Sequence, residues 1–128
     1  MDSLSIGKLL LRVMVGGLLL FHGVDKLQHG IGFVEKLVAM QGLPSYVAYG
    51  VYVGEILAPI LLLLGWHSRV WGAIIAFNMA VAIYLVHSKS LFTLGGYGAW
   101  VIESPLLFML SALAIAFLGS GKYALKAD

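Results

Sequence analysis

The sequence predicts an all-α protein, a bundle of four transmembrane helices with a short interfacial amphipathic helix between spans 1 and 2. Three observations predict it. Charge is scarce: eight Lys and Arg and six Asp and Glu make up 11% of 128 residues, against about 25% in a soluble domain. Hydrophobic residues reach 61% and mean hydropathy is +0.98. The apolar residues gather in four runs, each near the ~20 residues that cross ~30 Å of hydrocarbon as a helix. Four spans occupy ~80 positions, so the chain reads as one transmembrane domain over 1–128 with no large extramembrane part. So little charge excludes a soluble fold, intrinsic disorder, a coiled coil and a nucleic-acid partner. The absence of Cys excludes disulfides, thiolate metal sites and intrinsic thiol redox chemistry.

Span 1 covers about 6–26. Lys8 and Arg12 precede an apolar stretch from Val13 to Phe21, the layout of a signal peptide. His22-Gly23-Val24-Asp25-Lys26 follows in place of a small-residue cleavage site, so the segment reads as a retained span. In the connector Gln28–Ser45, the helical spacing of Phe33, Val34, Leu37 and Val38 opposes Glu35 and Lys36. Gly42 and Pro44 then stop what reads as the interfacial helix. Span 2 covers about 45–64, and Gly65–Arg69 is a tight turn. Span 3 covers about 69–87, and a Gly-rich connector leads to span 4 at about 98–118. Tyr46, Trp66, Trp71, Tyr97 and Trp100 fall near span ends, as in an aromatic belt. Spans 2 and 4 share a weak echo, Val53-x-Glu55 with Pro59 and Val101-x-Glu103 with Pro105. With both termini inside, the inner face holds Lys8, Arg12, Arg69, Lys122 and Lys126. The outer face holds Lys26, Lys36 and Lys89, so the positive-inside rule favours N-in/C-in.

Ionisable side chains inside a span cost ~2.5–3.5 kcal/mol on insertion scales, which makes each a functional candidate. On span 1, Arg12, His22 and Lys26 share one stripe with Lys8, Leu19 and Gly23, edged by Gly16. Such a stripe, polar and small together, must face protein or water, and its glycines admit a close partner helix. Glu55 lies near the middle of span 2. Pro59 cannot bond the carbonyl of residue 55, so the backbone is freed where the carboxylate sits. Glu55 reads as a working acid, as half of a structural Arg12–Glu55 ion pair, or as a protonated acid in a hydrogen bond. Glu103 is either near the cap of span 4 or turned into the bundle beside Tyr52, Lys26 or His22. His22 and His87 end at one membrane face, an arrangement that raises haem ligation. No His lies deep in a second span, so a bundle hydrogen bond for His22 and an interfacial place for His87 are preferred. Asn78 at the middle of span 3 reads as interhelical glue. Glu55, Glu103 and His22 are thus the candidate catalytic groups, and Arg12, Lys26, Tyr52, Asn78 and His87 the candidate ligand-binding groups. Together they suggest a polar pocket opening outward, suited to a quinone head group, a small anion or a proton path. The four His lack zinc-site spacing, so no metal is expected.

These residues resemble the DoxX family of small bacterial membrane proteins. The first block is Arg12, Gly16 and Phe21-His22-Gly23-x-x-Lys26; the second is Phe33 with Gly42-Leu43-Pro44. Gly54-Glu55, Leu64-Gly65-x-x-Ser68-Arg69 and Gly119-x-Gly121-Lys122-Tyr123 complete the series. The resemblance implies a four-helix inner-membrane protein and importance for Arg12, His22, Lys26 and Glu55. It also implies a redox link, since the family is named for its likeness to a membrane subunit of thiosulfate:quinone oxidoreductase. Without Cys, this chain would join such chemistry through quinone, another cofactor or an oxidoreductase partner. The leading expectation is therefore a quinone-linked subunit of a membrane oxidoreductase. The alternatives are a non-catalytic scaffold or assembly partner, and a small proton-coupled transporter acting as a homo-oligomer.

Overall fold

A computed structural model describes residues 2–88 and 90–128. Lys89, counted above on the outer face, lies outside the described residues. Among the described residues the fold is helical, with isolated bridges and no strand.

Helix α1 runs over Ser3–His29, longer at both ends than the predicted span. Asp2 starts it, its carboxylate accepting from the Leu4 amide at 3.1 Å and the Ser5 hydroxyl at 2.9 Å. The first of these bonds satisfies a backbone donor that a helix start leaves open. Gly30, at φ 81, ends it. A short helix α2 follows at Gly32–Met40, close to where the connector predicted one. Its Val38, with Ile31 just before it, packs against Ala48, Tyr52 and Leu85.

Helix α3 covers Ser45–Leu64. It opens with a 3-10 turn and widens to a π-helix over Val53–Leu57. The cause is Pro59, which has no N–H to give the carbonyl of Glu55. The Ala58 amide bonds the Val53 carbonyl five residues back, the defining bond of a π-bulge. Helix α4 covers Ser68–His87 and α5 covers Glu103–Leu118. The predicted start of span 4 at 98 is corrected to Glu103. The Val101 amide bonds the Thr93 carbonyl, so the chain before Glu103 is held in a loop. Pro105 falls in the first turn, where its missing N–H costs no helix bond.

The core draws on four helices: Val15 and Leu19, Ala58 and Leu62, Ile75 and Met79, Ala112 and Ile115. Small residues set the spacing. A Cβ at Gly16 would lie 2.9 Å from the Pro59 carbonyl, and one at Gly72 would lie 2.8 Å from that of Ala112. Three helices, α1, α3 and α4, are long and apolar enough to cross a membrane; α5 is a shorter apolar helix. The protein is therefore a membrane protein in contact with the lipid bilayer.

Both chain ends meet at one end of the molecule. Lys122 bonds the Ser5 hydroxyl through its amide at 3.3 Å and reaches Asp2 at 3.6 Å. The Leu125 and Lys126 amides bond the Leu64 and Gly65 carbonyls, in the turn between α3 and α4.

Candidate functional site

Arg12 is 1% exposed, and its guanidinium makes four hydrogen bonds, all to backbone carbonyls. Nε donates to Leu62 (2.9 Å), Nη2 to Leu63 (3.0 Å), and Nη1 to Ser120 (3.1 Å) and Tyr123 (2.7 Å). A helix leaves its last four carbonyls without internal partners. At the end of α3 every one is satisfied. Trp66 takes Leu61 and Gly65 takes Leu62 in a Schellman turn, Arg12 takes Leu62 and Leu63, and Leu125 takes Leu64. Gly65, at φ 77, has no Cβ to collide with the guanidinium. Arg69 does the same for α5, donating to Phe117 (2.7 Å) and Ala116 (3.4 Å). Asp128 then accepts from the Arg69 and Ser120 amides. Of the tail residues, Tyr123 entered the sequence reading only as part of the Gly119-x-Gly121-Lys122-Tyr123 motif, and Ser120 and Asp128 carried no signal of their own.

The ion pair raised from sequence between Arg12 and Glu55 is not the one that forms. Glu55 pairs with Lys26, Nζ to Oε1 at 2.7 Å. The Glu55 side chain is 6% exposed and that of Lys26 is 26% exposed. Lys26 lies 14 positions beyond Arg12, about four helical turns toward the opposite end of α1. That separation leaves Arg12 to the end of α3 and Lys26 to its π segment.

Three helices converge at this level. Gly23 of α1 lies against the Glu55 carbonyl, where a Cβ would overlap it. Gly54 of α3 lies likewise against the Asn78 side chain of α4. Asn78 Nδ2 is buried there and has no hydrogen-bond partner among the described residues. The Tyr52 hydroxyl reaches the Lys26 carbonyl at 3.4 Å, tying the end of α1 to α3.

The remaining candidates stand apart from the pair. His22 is exposed, its ring edge-on to Phe108 at a centroid distance of 5.8 Å. His87 is half-buried at the end of α4, and Glu103 is exposed in the first turn of α5. The echo between Glu55 and Glu103 therefore joins a buried acid to an exposed one. Among the described residues no three His, Cys, Asp or Glu are grouped to hold a metal ion. An apolar groove between α1 and α5 is lined by Met14, Leu18, Ser104, Leu107, Phe108 and Ser111. Neither Lys26 nor Glu55 lines it.

Fold and site together define a helical membrane protein with one largely buried Lys–Glu pair on a distorted helix. The chain belongs to the DoxX family, whose model matches residues 7–88. A Bacillus subtilis (strain 168) protein named "Putative oxidoreductase CatD" is 32% identical over 118 residues, covering 92% of this chain and 83% of that one. No solved structure matches.

Proposed function

We propose that this chain is a quinone-linked membrane subunit of an oxidoreductase system, with the Lys26–Glu55 pair as its proton-handling group. The observation that carries the reading is the pair itself. An acid held 6% exposed on a π segment, against a partly open ammonium, is a costly arrangement at membrane depth. The donor set suits a quinone carbonyl. The Lys26 ammonium carries three N–H bonds and, among the described residues, gives one of them to Glu55. The apolar groove between α1 and α5, whose Phe108 meets the His22 ring edge-on, suits an isoprenoid tail. Reduction of a quinone held there would need two electrons, supplied by a partner subunit, and two protons, drawn from water and passed one at a time through the pair. Lys26 orients the carbonyl and Glu55 holds the ammonium in place and exchanges its proton. The name of the Bacillus relative supports a redox assignment.

The same reading places the chain in the bacterial inner membrane as one domain with four spans, α1, α3, α4 and α5, and α2 at the interface. Both termini face the cytoplasm. The docking of the two chain ends on the α3–α4 turn supports an even number of crossings.

The test is quinone binding by the purified protein in lipid nanodiscs. Glu55→Gln and Lys26→Met should each weaken binding about tenfold or more, the loss expected for a charged hydrogen-bonding partner. Asp25→Asn, at an exposed position, should not. Unchanged binding in both folded variants would remove the pair from the site, and no binding by the parent would remove the quinone link.

A second reading, a membrane scaffold for a partner enzyme, is favoured by Arg12. This buried charge spends its four bonds on the end of α3 and on the C-terminal tail, so intramembrane charge here also serves packing. In a scaffold, Glu55→Gln would reduce partner recovery while no quinone copurified.

A further inference from the structure

We propose that residues 90–102 form an interfacial hairpin, lying at the boundary between headgroups and acyl chains and anchoring the start of α5 to the lipid surface. The inference rests on α5 being a span, as read above. At 1.5 Å per residue, the 16 residues of α5 cover about 24 Å, short of ~30 Å of hydrocarbon. The chain before α5 must supply the missing depth.

Its chemistry fits that place. From Ser90 to Ile102 the sequence has no charged residue. Phe92 is 88% exposed, Leu94 67%, and Tyr97 is fully exposed. Apolar surface left in water costs roughly 25 cal/mol per Å2, so this loop gains by entering the bilayer edge.

Its backbone also fits. Irregular chain near lipid must satisfy its own polar groups. The Ser90 amide bonds His87, Thr93 bonds Ser90, Gly95 bonds Ala99 and Val101 bonds Thr93. The Trp100 indole N–H donates to the Leu91 carbonyl. Tyr97, at φ 62, and Gly98, at φ 78, form the reversal. Tyr97 and Trp100 are the residue types that membranes hold at headgroup depth.

The Cys-free chain allows a direct test. Phe92→Cys, Leu94→Cys and Tyr97→Cys each receive a nitroxide label and are reconstituted into phosphatidylcholine–phosphatidylglycerol vesicles. Oxygen collisions should exceed those with a water-soluble nickel chelate at all three sites, and the order should reverse at exposed Ala127→Cys. Nickel-dominated collisions at 92 and 94 overturn the hairpin. Trp100 left as the one Trp, in W66F/W71F, gives a second measurement without labels. Quenching by shallowly brominated lipid supports the proposal, and its absence overturns it. The span reading is tested separately, with an impermeant maleimide on Gln41→Cys and Ala127→Cys in sealed vesicles. Labelling from opposite faces supports an α5 crossing; labelling from one face overturns that crossing, while the collision data still decide the hairpin.

Discussion

Nη2 of Arg12 donates to the Leu63 carbonyl at 3.0 Å, across 51 positions of sequence. With its three companion bonds it makes one side chain the cap of α3 and the clamp of the C-terminal tail. Buried carbonyls that lose their donor cost roughly 1–3 kcal/mol each. Arg12→Gln should therefore destabilise the protein by several kcal/mol, read as a lower midpoint of unfolding in mixed micelles. Arg12→Lys should recover only part of that loss, because one ammonium cannot reach four carbonyls in a planar fork. A midpoint unchanged in Arg12→Gln would show that the clamp contributes nothing.

Gly23 and Gly17 lie on the same helix and make a controlled comparison. A Cβ at Gly23 would overlap the Glu55 carbonyl, whereas one at Gly17 meets nothing within 4 Å. Gly23→Ala should push α1 from α3 at a cost of about 1–3 kcal/mol. It should also lengthen the Lys26–Glu55 pair. Gly17→Ala should be neutral or slightly stabilising, since Ala favours helix by up to ~1 kcal/mol over Gly. Equal midpoints for the two variants would mean that the close approach at Gly23 does not constrain the fold.

How far the sequence was legible follows from what each signal depends on. Helices, turns and the short α2 depend on local hydropathy and on Gly and Pro, and apart from the start of α5 these were read within a few residues. Pro59 marked the distortion at Glu55 because the missing N–H is a local fact. The partner of Glu55 was not legible, since pairing depends on the register of α1 against α3. That register is set by contacts such as Gly23 on Glu55, which a single sequence does not display. Arg12 was singled out as a charge costly to bury, but its partners are backbone carbonyls, which every residue carries. The start of α5 was misplaced because residues 98–102 are apolar enough for a span, and only their hydrogen bonds to the preceding strand of loop exclude them.

Asp2 predicts a pH response confined to the start of α1. The Ser5 hydroxyl, ahead of the Leu4 amide and Lys122, holds its carboxyl below the usual 3.8, against a smaller opposing effect of burial. A folded-state value below the unfolded one means stabilisation that is complete well above 3.8 and lost as pH falls through the folded value. The protection of the Leu4 amide, its exchange rate measured against the intrinsic rate at the same pH, should therefore be present at neutral pH and be lost under acid conditions below about 3.8. Asp2→Ala should show little protection at any pH. Asp2→Asn should keep protection without the acid transition, because Asn also caps helices. A transition retained in Asp2→Asn would assign it to another group.

The Lys26–Glu55 pair predicts strong coupling between two single substitutions. Removing one partner of a buried pair leaves the other charge without compensation, at about 3–5 kcal/mol for full burial. Glu55 is 6% exposed and Lys26 26% exposed, so the two losses should differ. Lys26→Met strands the more buried charge and should approach the upper part of that range. Glu55→Gln leaves an ammonium that can turn toward water or headgroups, as long Lys side chains do, and should cost less. The double variant should recover most of the Lys26→Met loss, since no charge then remains to desolvate. Unfolding midpoints of the four proteins in mixed micelles complete the cycle. Additive losses would mean that the 2.7 Å contact carries no net interaction, and Glu55 would then stand as an independent acid in the membrane.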